Sequence, residues 1–162
     1  MKIDLGKNEL IHFVGIGGIG MSGLALIMNG LGYKVQGSDI VENRNIDKLK
    51  EKKIKVFLNQ KKEQIKKTTV LVISSAIKKN NPELIEAIKK NLPVYTRGDM
   101  LGHIVSFMRN VVVTGSHGKT TTTSLVSSIF TAANLDPTII NGGVLNSFCN
   151  SAKLGKSNWC VT

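Results

Sequence analysis

Lys119 and the hydroxyl run behind it follow a glycine pair in Thr114-Gly115-Ser116-His117-Gly118-Lys119-Thr120-Thr121-Thr122, an order of residue types that suits a nucleoside triphosphate. Glycines let successive backbone N–H groups turn inward toward phosphate oxygens. An ammonium placed just beyond them can reach the β- and γ-phosphates, and the Thr120 hydroxyl can ligate Mg²⁺. Gly115, Ser116, His117, Gly118, Lys119, Thr120 and Thr121 are therefore the expected ATP-binding set. Lys119 is the expected catalytic residue and Thr120 the expected metal ligand. The loop is shorter than the strict G-x-x-x-x-G-K-[ST] pattern, because Val113 stands where that pattern has its first glycine. The bland alternative is a solvated helix cap with a chance lysine. An apolar strand, glycines, lysine and hydroxyls in this order argue against it.

An earlier loop carries a second chemistry. Gly15-x-Gly17-x-x-Gly20 fits the dinucleotide fingerprint, with Gly15 for the turn, Gly17 for approach to a diphosphate and Gly20 for helix packing. Gly18 lies in the same loop, and the helix that follows adds its positive N-terminal end. Asp39 falls nineteen residues beyond Gly20, where a carboxylate would grip a ribose hydroxyl. A diphosphate and a ribose are common to NAD and to a UDP-sugar, so the first loop does not choose between them. The second loop does. A dehydrogenase would continue into a substrate domain, whereas two phosphate loops suggest a nucleotide-activated substrate handed to an ATP-driven reaction. A small NAD-dependent oxidoreductase would leave Lys119 and Thr120 without a task. It would also lack a Tyr-x-x-x-Lys pair or a catalytic histidine.

The elements that must hold these loops are legible as apolar runs between glycine, proline and asparagine stops. Strands are expected at residues 10–14, 34–37, 55–57, 70–73, 93–95, 111–113, 138–141 and 159–162. Helices are expected at 21–31, 45–53, 82–91, 100–107 and 121–133, with a weak one at 61–66. Asn81 is the expected cap of the helix at Pro82. Turns are expected at Asp136-Pro137 and Gly142-Gly143. The alternation predicts an α/β fold: a Rossmann-like doubly wound parallel sheet over residues 1–108, followed over 109–162 by the start of a P-loop ATP-binding α/β domain. Only 40 residues follow Thr122, too few to close such a domain. An open sheet edge, exposed apolar surface and local disorder or aggregation are expected beyond about residue 110.

Bulk properties narrow the partners. The chain has 162 residues, 41% apolar and 20% charged, which is ordinary for a soluble globular protein. Cys149 and Cys160 stand apart without histidines at ligand spacing, which favours a reducing compartment over a disulfide framework or a zinc site. The apolar stretch 11–28 could pass for a leader or a span, yet five of the nine residues from Gly15 to Gly23 are glycine. The expectation is a cytoplasmic protein without membrane insertion. The net charge of +11 is concentrated between Arg44 and Arg97, which holds 15 of the 22 basic residues. These are scattered lysine pairs without interleaved aromatics, so no nucleic-acid partner is expected. His12, inside the first strand, reads as a packed core histidine. Arg97, at a strand end, reads equally as a phosphate contact or a surface ion pair.

Five segments together carry a resemblance. They are the run from Ile11 to Gly23 (I-H-F-V-G-I-G-G-I-G-M-S-G), Gly37-Ser38-Asp39, Ser74-Ser75-Ala76-Ile77, Gly115 to Thr123, and Asn141-Gly142-Gly143. In this order they resemble the Mur ligases, over nearly the whole chain from Leu10 onward. The resemblance implies that UDP-N-acetylmuramate docks its diphosphate on Gly15–Gly20, with Ser74 and Ser75 helping to hold it. It also implies ATP and Mg²⁺ on the second loop, and Asn141 in the channel between the two sites. The lactyl carboxylate would attack the γ-phosphate to give an acyl phosphate, and the amine of L-alanine would then displace phosphate to form the amide. Ser116 departs from the threonine usual in the family. The family continues past this point into a magnesium-binding acidic segment, a lysine-bearing region and a domain for the amino acid. The chain is therefore expected to bind substrate without catalysing alone. A free-standing nucleotide-sugar-binding module is the alternative.

Overall fold

The computed structural model describes residue 3, residues 5–145 and residues 150–162. Its first sheet joins β1 (Leu10–Val14), β2 (Lys34–Ser38), β3 (Lys55–Phe57), β4 (Val70–Ile73) and β5 (Val94–Thr96). They lie in the order β3-β2-β1-β4-β5, and every pair is parallel. Between them run α1 (Ile19–Gly30), α2 (Arg44–Glu51), a short 3₁₀ helix (Lys62–Ile65) and α3 (Pro82–Lys89), and α4 (Arg97–Ser106) follows β5. The expected Rossmann-like doubly wound sheet is therefore present.

A parallel sheet is covered on both faces, so its central strands are mostly apolar. Ile11 and Phe13 of β1 pack with Leu24 and Met28 of α1 and Met100 and Ile104 of α4. Val14 turns to the opposite face, where Leu71, Ile65, Leu84 and Ala87 form a second cluster. Each such side chain contributes about 1.5–3 kcal/mol when fully buried. His12 shares the α3 face and is buried, as are Gln36, Ser38 and Glu83. The Gln36 amide donates to Gln64 O at 3.0 Å and faces His12 Nδ1 at 3.1 Å. Nδ1 is thus an acceptor, which puts the ring hydrogen on Nε2, 3.2 Å from Glu83 Oε1. Ser38 Oγ donates to the other carboxylate oxygen at 2.5 Å. His12 is a packed core histidine, held by Gln36 and close to Glu83.

The second sheet joins β6 (Arg109–Val111), β7 (Thr138–Leu145), β8 (Asn150–Lys153) and β9 (Trp159–Val161), with α5 (Lys119–Ala132) between β6 and β7. Its order is β6-β9-β7-β8, parallel except for the antiparallel β7–β8 pair. Four expectations are corrected here. The strand before the ATP loop starts at Arg109, two residues earlier than expected, because Arg109 pairs with Trp159 and lies over its indole at 4.3 Å. Gly142 and Gly143 lie within β7, not in a turn, beside β8, which the sequence did not suggest. The turn after α5 falls at Ala133-Asn134, where Asn134 takes a φ of 58°, not at Asp136-Pro137. Asp136 instead binds Lys153 Nζ at 2.6 Å and Lys156 N at 3.1 Å, and Lys153 holds its carboxyl below the usual range. The fourth correction is the start of α4 at Arg97, three residues early. Thr96 and Asp99 form a capping box there, which Met100 as a start would leave unused.

The apolar core is continuous across residue 108, since Ile140, Ala152 and Cys160 belong to the cluster around α1. Leu154 approaches α1 so closely that a Cβ on Gly30 would lie 2.5 Å from its Cδ2. Burial raises the Cys160 thiol to about 11, so it is inert near neutral pH. Cys149 lies outside the described residues. Residues 109–145 thus form sheet and helix against the expectation of local disorder. The expected apolar surface is present, with Leu125 and Ile129 exposed one turn apart on α5.

Candidate functional site

The order of the first sheet reverses between β1 and β4, and ligands of such sheets bind in the crevice beyond the strand ends at that point. A cavity of about 650 Å³ opens there. Gly15, Gly17, Gly18, Asp39 and Ser74 all line it, so five of the expected substrate-binding residues come together. Gly20 and Ser75 line other cavities, and Asn141 lies with the second loop.

The loop holds itself by its own backbone. Gly15 N and Ile16 N donate to Ser38 O at 2.8 and 3.0 Å, and Gly18 N donates to Gly15 O at 3.2 Å. Gly17 N donates to Asp39 Oδ2 at 2.8 Å. Asp39 Oδ1 accepts from Ile40 N and Val41 N. Three of the roughly four lone-pair directions of this carboxylate are thus engaged. Gly17 is needed for a reason the fingerprint does not supply: a Cβ there would meet Asp39 Oδ2 and Asn43 Nδ2 at 2.9 Å each. The start of α1 has no side-chain cap and no acidic residue in its first turn, which suits an anion. Asn43, which the sequence reading passed over, caps α2 through Asn45 N and Ile46 N and reaches Gly17 O at 3.3 Å. Its signal was an asparagine two residues ahead of the expected helix start. Asn81 caps α3 as expected and also donates to Gln60 Oε1 at 2.7 Å across the cavity wall.

The second loop leads from β6 into α5. Gly118 is the N-cap with a φ of +76°, a conformation that glycine adopts without strain. Gly115, Ser116, His117, Gly118, Lys119, Thr120 and Thr121 are all exposed. Lys119 Nζ donates to Gly115 O at 2.5 Å and to Ser116 O at 3.2 Å, folding over the loop it belongs to. α5 has neither a side-chain cap nor an acid in its first turn, so its leading N–H groups and Lys119 suit a polyphosphate. Asn141 is buried and donates to Thr120 O at 3.4 Å. Lys119, Thr120 and Asn141 share a cavity of about 200 Å³. The wall of this cavity also includes Arg97, which the sequence left undecided. No ion pair involves Arg97 among the described residues.

A parallel sheet with a glycine loop at its switch point, continued by a strand, a glycine loop and a lysine-led helix, defines an α/β protein with two phosphate-type loops. The family model described as "Mur ligase family, catalytic domain" matches residues 10–109, which end ahead of the second loop. The chain belongs to the Mur ligase family. It is 67% identical over 161 residues to the UDP-N-acetylmuramate–L-alanine ligase of Pelagibacter ubique, covering 99% of this chain and 35% of that protein. The ligase of the same description from Brucella ovis is 50% identical over the same length, with 34% of it covered. The chain thus spans about a third of the length of these relatives. Among solved structures, the UDP-N-acetylmuramate:L-alanyl-gamma-D-glutamyl-meso-diaminopimelate ligase of Neisseria meningitides superposes with a TM-score of 0.86 at 29% identity, covering 95% of this chain and 52% of that one. The UDP-N-acetylmuramate-alanine ligase of Thermotoga maritima gives 0.81 at 30% identity, covering 92% of this chain and 35% of that one.

Proposed function

We propose that this chain is the nucleotide-sugar- and ATP-binding part of a ligase that joins L-alanine to the lactyl carboxylate of UDP-N-acetylmuramate, in cytoplasmic peptidoglycan precursor synthesis. The observation that carries the reading is the 67% identity to an enzyme of that description across 99% of the chain. The two loops support it, because the reaction needs one site for a nucleoside diphosphate and one for a triphosphate.

In this reading the diphosphate lies in the crevice of Gly15, Gly17, Gly18, Asp39 and Ser74, against the uncapped start of α1. Gly20 and Ser75 are assigned to the same substrate, further toward the second loop. The ATP phosphates lie on Gly115, Ser116, His117, Gly118, Lys119, Thr120 and Thr121. Lys119 exchanges its bonds to Gly115 O and Ser116 O for phosphate oxygens and neutralises charge as the γ-phosphoryl group moves. Mg²⁺ would be held by the Thr120 hydroxyl and would supply further charge neutralisation. Asn141, fixed against Thr120, faces the space where the two substrates meet. The carboxylate attacks the γ-phosphorus and ADP leaves. The amine of alanine then attacks the acyl carbon, phosphate leaves, and the amine gives up its proton. The two units, 1–108 and 109–162, serve one substrate each. No residue of this chain is assigned to L-alanine.

The test joins residues 1–162 to the remaining two thirds of the Pelagibacter ubique ligase. The joined enzyme is expected to release phosphate only with ATP, UDP-N-acetylmuramate and L-alanine together. Lys119→Ala is expected to slow that release by roughly 10²–10³-fold, the usual cost of one lost transition-state donor. Phosphate release that ignores the sugar nucleotide would contradict the reading.

A further inference from the structure

Arg97 has no part in the function proposed so far, yet its position is distinctive. Three cavities succeed one another from the first glycine loop to the second. Ser74 stands in the wall of the 650 Å³ crevice and also in that of a middle cavity of about 360 Å³. Arg97 stands in the wall of the middle cavity and also in that of the 200 Å³ cavity of Lys119. Its side chain crosses the first turn of α1 at Gly20, where a Cβ would lie 2.9 Å from Nη1 and 3.1 Å from Cδ. The glycine of the fingerprint that the sequence assigned to helix packing therefore makes room for an arginine. Its base is fixed by the capping box of Thr96 and Asp99.

Among the described residues no acidic side chain lines the last cavity, and Arg97 and Lys119 are two cations in the wall of one small space. An anion placed between them relieves their repulsion. We propose that Arg97 binds the carboxylate of the sugar-nucleotide substrate and positions it toward the phosphoryl group held by Lys119. The inference rests on the ligase reading. A diphosphate in the first crevice sends the sugar along the middle cavity, so its acid arrives at the wall that Arg97 shares. The planar guanidinium offers two parallel N–H donors to a carboxylate, which fixes its direction as well as its place. Two anions must meet for this reaction, and a cation on each side of the meeting point lowers the cost of their approach.

The test titrates the chain with UDP-N-acetylmuramate and with UDP-N-acetylglucosamine, which has the same nucleotide and ring without the lactyl acid. The chain is expected to prefer the acid-bearing sugar. Arg97→Met is expected to weaken UDP-N-acetylmuramate roughly 10- to 100-fold, the span of a charge-assisted contact, and to leave UDP-N-acetylglucosamine unchanged. Arg97→Lys should recover part of the preference. Gly20→Ala, which keeps the arginine but displaces its guanidinium, should reduce it. Equal losses for both sugars would assign Arg97 to the diphosphate or to the fold and overturn the proposal, as would no loss at all. A wild-type chain that bound neither sugar would overturn the ligase reading and this inference with it.

Discussion

Asp39 is the residue on which the first loop depends. It takes Gly17 N–H on one carboxylate oxygen and two backbone N–H groups of its own segment on the other. Asp39→Asn keeps an oxygen for Ile40 and Val41 but turns an NH₂ toward Gly17 N–H, so a buried donor loses its acceptor. The expected loss is about 1–3 kcal/mol of stability, read from urea unfolding. A midpoint equal to that of the wild type would show that the bond does not hold the loop. The sequence located this residue by its spacing from the glycines, yet not this task. Spacing reports that a carboxylate stands at the end of β2. It does not report that Gly17 lies close enough for a Cβ to meet that carboxylate at 2.9 Å. Arg97 was undecided for the same reason, because the space over Gly20 exists only once α1 and α4 pack together.

At the scale of elements, legibility followed the range of the interaction that fixes each one. β1 and β4 were readable as mostly apolar runs because both of their faces are buried, with His12 of β1 the one polar side chain among them. The Asn81 cap was readable because its partners, Glu83 N and Leu84 N, are two and three residues away. The capping box of α4 was equally local, in Thr96 and Asp99, and was passed over because Arg97 and Gly98 interrupt the apolar periodicity. Thr96→Ala removes that box and is expected to cost about 1 kcal/mol, with Arg97 less firmly placed. Unfolding midpoints of the two proteins check this, and an unchanged midpoint would mean that packing of Met100 and Ile104 alone sets the start of α4. The second sheet was less legible because its bounds are set from afar. β6 takes its register from Trp159, 50 positions away along the chain from Arg109, and the glycines of β7 are strand only beside β8.

At the scale of the molecule, α1 ties the two sheets together. Its apolar face meets Ile11 and Phe13 of the first sheet, and Ile140 and Ala152 of the second belong to the same cluster. Leu154 lies against Gly30 at the other end of the helix. The two phosphate loops are thus positioned by a shared core, with α1 opening at the first loop and Arg97 lying across its first turn. Among the described residues no helix is long and apolar enough to cross a membrane. The positive charge crowded between Arg44 and Arg97 favours approach of a polyanionic nucleotide without specifying which one. The central claim is that the first crevice takes a UDP-sugar acid. The most direct measurement is a calorimetric titration of the chain with UDP-N-acetylmuramate, with NAD run beside it and Gly17→Val as the control. The account predicts saturable binding of UDP-N-acetylmuramate that Gly17→Val abolishes, with no heat from NAD. Binding of NAD alone would contradict it.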